Sequence, residues 1–393
     1  MPHLNKPCRT QISCWLVPVF LLLALVTACT RKPFDPSPSE TRNENRFTFS
    51  PVLESATIWQ VAAASAPDGH IAVAAATDYR ELILLESSAG AWSTIATLSG
   101  EGLHPSSISL APGPGGAWWI LASNSEVGMK LYRVGGAGDS SLVIPKFNNV
   151  AWDSTSYGAL ASDSQGRPVT ILRAGSVGLV RAALADTGWT LSQVPQTGVY
   201  STVDDFTIDA LGREHLVFHR TSENYGQYRR ADADTTISME ITNSGVNLAL
   251  AVSSGGFPFV AGSVGYQDNL LVWQLLDSDE VGLFWVSETL PIFEDLYVGN
   301  FDICLTSEGK PYIAFAAWQG AARFTVNMAT REAGTDHTWE LVDVVKDLAR
   351  VGATNRMKVF RVVIDVLDRP HFFYLSGDSG SMNSSLWVAV PIS

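Results

Sequence analysis

From residue 58 onward the chain is written in short alternating stretches, each followed by a turn and a second, more continuous apolar stretch. QVAAAS, SISLAP, GALASD, FTIDA, LALAVS, DICLTS and RVVIDV each precede a turn, and HIAVAAA, AWWILAS, RPVTILR, REHLVFH, FPFVAGS, KPYIAFA and RPHFFYL follow it. Alternation with period two predicts half-buried strands, and the continuous runs predict strands buried on both faces. The turns carry Gly69, Gly116, Gly166, Gly212, Gly256 and Gly309, with Asp368 in the seventh place. A glycine in the left-handed conformation closes a three-residue hairpin with a bulge, and Asp is among the residues that best tolerate that conformation. Pro168, Pro258, Pro311 and Pro370 stand two residues past the marker. The first residue of a strand is where a missing N–H costs least.

A third apolar stretch follows each hairpin, as in ELILLES, MKLYRV, LVRAAL, NLLVWQLL and FTVNMAT, and a fourth often opens on Trp, as in AWSTIATL, GWTLSQV and TWELVDV. Trp92, Trp189 and Trp339 are therefore expected as anchors between neighbouring units. VDVVKDLARVG comes nearest to a helical period, and a short helical loop is allowed there. The markers are spaced by 47, 50, 46, 44, 53 and 59 residues. This four-stranded repeat of about fifty residues resembles the blades of seven-bladed β-propellers. The resemblance implies an all-β fold of seven four-stranded antiparallel blades over residues 46–393, although the last two spacings leave six or eight blades open. The seventh unit lacks an outermost strand, while NRFTFSPVLES at residues 45–55 has no partner of its own. Donating that segment to the last blade would close the ring and protect its edges.

The N-terminus follows a different pattern. Lys6 and Arg9 precede the apolar run ISCWLVPVFLLLALVTA, which ends at Ala28; Cys29 and the polar TRKPFDPSPSETRNEN follow. A basic start, an apolar stretch and small residues before a cut form a secretory signal. Val26-Thr27-Ala28-Cys29 resembles the lipobox of bacterial lipoproteins, with Val in place of the usual Leu. The resemblance implies removal of residues 1–28 and acylation of Cys29, with residues 29–45 as a disordered tether rich in Pro, Ser and charge. Several acyl chains on one Cys hold a protein stably to a membrane. In Gram-negative lipoproteins an Asp after the Cys favours the inner membrane, so Thr30 points to the outer membrane of a bacterial cell envelope. The competing reading of the apolar run is an uncleaved helix at the short limit for spanning.

Charge and cysteine content narrow the function. The whole chain carries −13, and −15 without residues 1–28. Such a surface repels phosphate backbones, and no nucleic-acid partner is expected. Cys304 would be the sole free thiol of the processed chain, in a strand-like run that suits a small buried side chain. No cofactor and no metal site is expected. EHLVFH pairs His215 and His219, but on a strand they stand about 13 Å apart, too far to share a metal. DSDE at 277–280 lacks the spacing of a calcium loop. GDSG at 377–380 echoes a serine-protease loop for four residues only, and SAGAWS and ADTGWT are only faintly similar to sialidase Asp-box turns.

Propellers bind partners where the loops between blades and between second and third strands gather. The candidate ligand-binding residues there are Arg80, Arg173, Tyr200, His219, Arg220, Tyr297 and Trp318. Aromatic and Arg side chains on such a face suit a protein or glycan surface. The expected function is a monomeric, lipid-anchored envelope binding or scaffold protein that docks an envelope protein or polysaccharide. The alternative is an envelope glycoside hydrolase or lyase on the same scaffold, which needs two carboxylates about 5–10 Å apart in a deep pocket. Asp204, Asp205, Glu294 and Asp295 lie near the expected blade junctions and are the acids to place.

Overall fold

Each of the alternating stretches forms the innermost strand of an antiparallel sheet, and in blades one to six the three stretches after it add strands outward in order. The structure is a computed structural model. It describes residues 40–77, 80–88, 90–100, 103–124, 126–152, 158–220, 225–231, 236–241, 244–264, 269–278, 282–290, 297–318, 323–332, 338–349, 361–377 and 384–392.

Seven sheets are present, numbered here as blades one to seven in chain order of their inner strands. Those inner strands are Ile58–Ser65, Leu103–Pro112, Ala159–Ser162, Ser201–Ile208, Ser244–Val252, Tyr297–Leu305 and Arg361–Ile364. Each contacts the inner strand of the next blade, and the last contacts the first, so the ring is closed. Phe47–Ala56 pairs antiparallel with Ser384–Pro391 as the outermost strand of blade seven, with Phe47 opposite Pro391 and Ser50 opposite Val388. The expected closure by the N-terminal strand and the count of seven blades both hold.

Two expectations change. Residues 40–45, read from the sequence as the end of a tether, belong to the ring. Thr41–Arg42 adds a fifth strand to blade six, pairing with Lys346 and Val345. The Arg42 guanidinium lies 3.7 Å from the Trp387 ring centroid and 2.6 Å from the Glu40 carboxylate. A polar composition suggests a tether, but these pairings need only two strand residues and one stacked cation. The run Val342–Ala349 is not a helical loop but part of Glu340–Ala349, the fourth strand of blade six. Its buried Val342 and Val344 alternate with the less buried Leu341 and Asp343, as sheet pairing requires.

The core lies between blades. Among the described residues seven clusters of buried apolar side chains are found, each drawn from two adjacent blades. Burying one such side chain contributes roughly 1.5–3 kcal/mol, so each interface holds its two blades together by many such terms. The three anchoring Trp residues act as expected. Trp92 of blade one meets Phe373 of blade seven edge-on at 5.6 Å, Trp189 packs on the cluster between blades two and three, and Trp339 on that between blades five and six.

The turns also form as the residues predict. All six marker glycines and Asp368 have positive φ, from 57° at Asp368 to 91° at Gly69. Pro168, Pro258, Pro311 and Pro370 each begin a strand. In three turns the leading residue is an Asp that clasps the hairpin. Asp209 accepts the N–H groups of Leu211 and Arg213 on one oxygen, and Arg213 Nε at 2.6 Å and His215 Nε2 at 3.1 Å on the other. Asp365 repeats this with Leu367, Arg369 and His371. Asp163 does the same with Gln165 and Arg167.

Candidate functional site

Strand direction sorts the ring into two ends. The clasped turns join first to second strands at one end. The seven candidate residues all lie at the other, where second strands finish and inner strands begin. Arg80 is exposed between the second and third strands of blade one. Arg173 is half-buried near the end of Pro168–Ala174 in blade three, opposite Leu179. Blade four brings three together. Tyr200 precedes its inner strand and is 59% exposed; Ser201 pairs with Arg220, and Thr202 with His219. His219 Nδ1 lies 2.7 Å from an Asp204 oxygen, and Arg220 Nη2 donates to the Gln196 carbonyl at 2.9 Å. Tyr297 and Trp318 are register partners in blade six. Arg80 and Arg173 thus sit on blades separate from these two groups. Cys29, Glu294 and Asp295 lie outside the described residues. His215 and His219 share the strand Glu214–Arg220, and each is bonded to its own carboxylate. Among the described residues no group of three or more His, Cys, Asp or Glu gathers as metal ligands do.

The ring axis holds a cavity of about 520 Å³, walled by all seven inner strands. Four residues before each turn's first residue, the seven strands place Ala62, Ser109, Ala159, Asp205, Ala249, Asp302 and Arg361 at one level. Where that residue is polar and can accept, it takes the N–H of the next blade's inner strand. Ser109 accepts from Leu160 at 3.2 Å, Asp205 from Leu250 at 2.9 Å and Asp302 from Val362 at 2.9 Å. Two residues earlier, Gln60 accepts from Ile108 and Ser107 from Gly158, both at 2.9 Å. These side chains serve backbone donors that inner strands, having no further strand on the axis side, leave unpaired.

The electrostatics of this level are unusual. Burial, and then the charge of Asp302, push the Asp205 carboxyl up to about 7, against the N–H groups of Leu250 and Phe206 that favour its ionised form. Burial raises Asp302 as well, opposed by the Arg361 guanidinium. Cys304 lies on the same strand as Asp302 and lines the cavity; burial and Asp302 raise its thiol well above the ordinary range, which fits an unreactive residue. Cys304 was expected as a small buried side chain, and it is partly buried.

Sequence reasoning missed the polar groups between blades, because their partners lie far apart along the chain. Arg181 of blade three bonds Glu214 of blade four through Nε, at 2.7 and 2.9 Å. Trp118 Nε1 of blade two donates to Glu86 of blade one at 2.9 Å. Arg331 of blade six bonds Glu288 of blade five at 2.6 Å, while Trp339 Nε1 donates to the same carboxylate at 2.9 Å. Beside the Arg181–Glu214 pair a second cavity of about 520 Å³ opens between blades three and four.

Together these features define a closed seven-bladed β-propeller with polar inter-blade sites. Its fold is similar to that of solved structures. The BP39L lectin from Burkholderia pseudomallei superposes with a TM-score of 0.54 at 13% identity, covering 87% of this chain and 100% of the lectin. AofleA from Arthrobotrys oligospora gives 0.50 at 9% identity, over 76% of this chain and 89% of AofleA. No protein-family model matches the chain, and no curated protein matches it.

Proposed function

We propose that this chain is a lipid-anchored binding protein of the bacterial cell envelope, whose propeller docks a glycan. The observation that carries binding over hydrolysis is the state of the channel carboxylates. A retaining or inverting glycosidase needs two carboxyl groups free to meet the scissile bond. Asp205 accepts two backbone N–H groups and Asp302 accepts that of Val362, so both are engaged in joining blades. Asp204 is engaged with His219. The glycan is supported by the likeness to the BP39L lectin along that protein's whole length, and by paired guanidinium, carboxylate and indole groups between blades, a donor and acceptor set suited to hydroxyls. The anchor rests on Val26-Thr27-Ala28-Cys29, and Thr30 supports the outer membrane.

Two measurements test these halves. The full chain made in a Gram-negative host should fractionate with membranes, and Cys29→Ser should release it to the soluble fraction. The chain from residue 40 should retain glycans on an array of envelope polysaccharides without shortening them. Release of new reducing ends would favour the glycoside hydrolase or lyase reading. Capture of an envelope protein without any glycan would move the docking partner to the other class.

A further inference from the structure

The hairpin turns differ from blade to blade in their leading residue. Blades three, four and seven lead with Asp163, Asp209 and Asp365, each bonded to an Arg four residues on. In blade four that Arg also spans the gap to the next turn, where Arg213 Nη2 donates to the Gly255 carbonyl of blade five at 3.1 Å. Blades one and two lead instead with Ala66 and Gly113. Their turns close through the backbone, with the Ala66 N–H on the His70 carbonyl at 2.8 Å and the Gly113 N–H on that of Ala117 at 2.6 Å. With small leading residues and no Asp–Arg clasp, the space between these two turns is a cavity of about 300 Å³.

Asp68, His70 and Glu86 line this cavity, and none of its lining residues is Lys or Arg. The buried Trp118 indole of blade two donates to Glu86 Oε1 of blade one at 2.9 Å and fixes that side chain, and His70 Nδ1 stands 3.3 Å from the same oxygen. Asp68 Oδ1 accepts the His70 backbone N–H at 3.2 Å. Each carboxylate thus has one oxygen engaged within the protein, while Glu86 Oε2 and Asp68 Oδ2 take no hydrogen bond from the described residues. Pro67 adds an exposed apolar wall. An added Cβ at Gly115 or Gly116 would meet nothing within 4 Å, so the backbone on the blade-two side is open to approach. A volume near 300 Å³ is at the small end for ligand sites, which suits one sugar ring. Two carboxylates without a cation among the lining residues favour an occupant rich in donors and positively charged, and repel an anion. We propose that this cavity binds an amino sugar, with its ammonium on Glu86 and Asp68, its hydroxyls on His70 and the Gly115–Gly116 backbone, and its ring face on Pro67. The proposal rests on the glycan-binding reading above and names the sugar class.

Glucosamine, N-acetylglucosamine and glucose differ only at the second carbon, so they are the probes, with ethanolamine as an amine that lacks the ring. Isothermal titration of the chain from residue 40, which contains every strand of the ring, should show glucosamine binding roughly fivefold or more tighter than either other sugar at pH 7. The preference should shrink in about 0.5 M salt. Glu86→Gln, which keeps an oxygen for the Trp118 indole and removes the charge, should abolish most of that preference. Asp68→Asn, in an exposed turn where folding is not at stake, should reduce it separately, and decides the matter where Glu86→Gln fails to fold. Equal affinity for glucosamine and glucose, or glucosamine binding untouched by both substitutions, overturns the site. Ethanolamine binding as tightly as glucosamine overturns the sugar class. Array binding of glycans that neither variant alters would leave the glycan-binding reading standing and place it elsewhere. An array with no bound glycan would remove both.

Discussion

Asp205 and Asp209 lie four residues apart on one strand and its turn, yet their environments drive them in opposite directions. Asp209 sits at the turn end. Burial acts to raise its pKa, but the N–H and guanidinium of Arg213 and the ring of His215 outweigh it, and the carboxyl is held below its ordinary range. Asp205 sits in the channel. Its two N–H partners do not offset burial and the nearby Asp302, and it rises to about 7. The same contrast separates Asp365 from Asp302. The number and charge of a carboxylate's partners therefore decide its state more than depth alone. At the turns the charge is used to clasp a hairpin. On the axis the oxygen is used as a backbone acceptor, and the charge is a cost.

This contrast predicts substitutions of opposite consequence. Asp209→Asn removes the anion facing Arg213 and the buried His215, and should destabilise by about 3 kcal/mol in urea unfolding. Gly256→Ala attacks the same clasp from the next blade. With φ at +81° and a new Cβ 1.2 Å from Arg213 Nη2, it should cost about 2 kcal/mol and displace Arg213 from the Gly255 carbonyl. Asp302→Asn keeps an oxygen for the Val362 N–H and removes a buried charge, so at pH 8 it should change stability by less than about 1 kcal/mol. A loss as large as that of Asp209→Asn would erase the distinction between the two regions.

The pH dependence carries the same signature. Between its ordinary value of 3.8 and about 7, folded Asp205 keeps a proton that the unfolded chain has released. Stability from this group therefore falls as pH rises through that window. Relative to Asp205→Asn, the wild type should gain stability as pH drops from 8 to 5. Asp163, Asp209 and Asp365 are lowered, so their contribution is present above 3.8 and lost as pH falls through their folded values. His215 and His371, lowered chiefly by burial, lose stability as pH falls below 6.5, and their effect cancels in the comparison with the variant. The smallest effect belongs to Asp368. It accepts from the Ser307 N–H at 2.7 Å and holds φ at 57°, and Asp368→Asn should stay within about 0.5 kcal/mol.

Local rules made much of the ring legible. Alternation, the recurring Gly or Asp368, and Pro at four strand starts are all properties of adjacent residues, and they located the turns. The unpartnered NRFTFSPVLES could be assigned to blade seven by counting strands. The seven candidate residues fall at one end of the ring for the same reason. Of the candidates, Tyr200, His219 and Arg220 share blade four, and Tyr297 and Trp318 are register partners in blade six. What sequence spacing does not reveal is contact across a blade interface. Arg181 and Glu214 are 33 residues apart, and Trp339 and Glu288 are 51. Nor does spacing tell Asp205 from Asp209, since burial depends on the closed ring. Glu40 and Arg42 were misread because their order comes from Ser376 and Trp387 at the far end of the chain.

Carbon-13 NMR titration of the side-chain carboxyls, with Asp205 and Asp209 assigned through their Asn variants, tests this picture most directly. Asp205 should titrate near pH 7 and Asp209 below its ordinary value. Two carboxyls titrating together in the usual acidic range would contradict it.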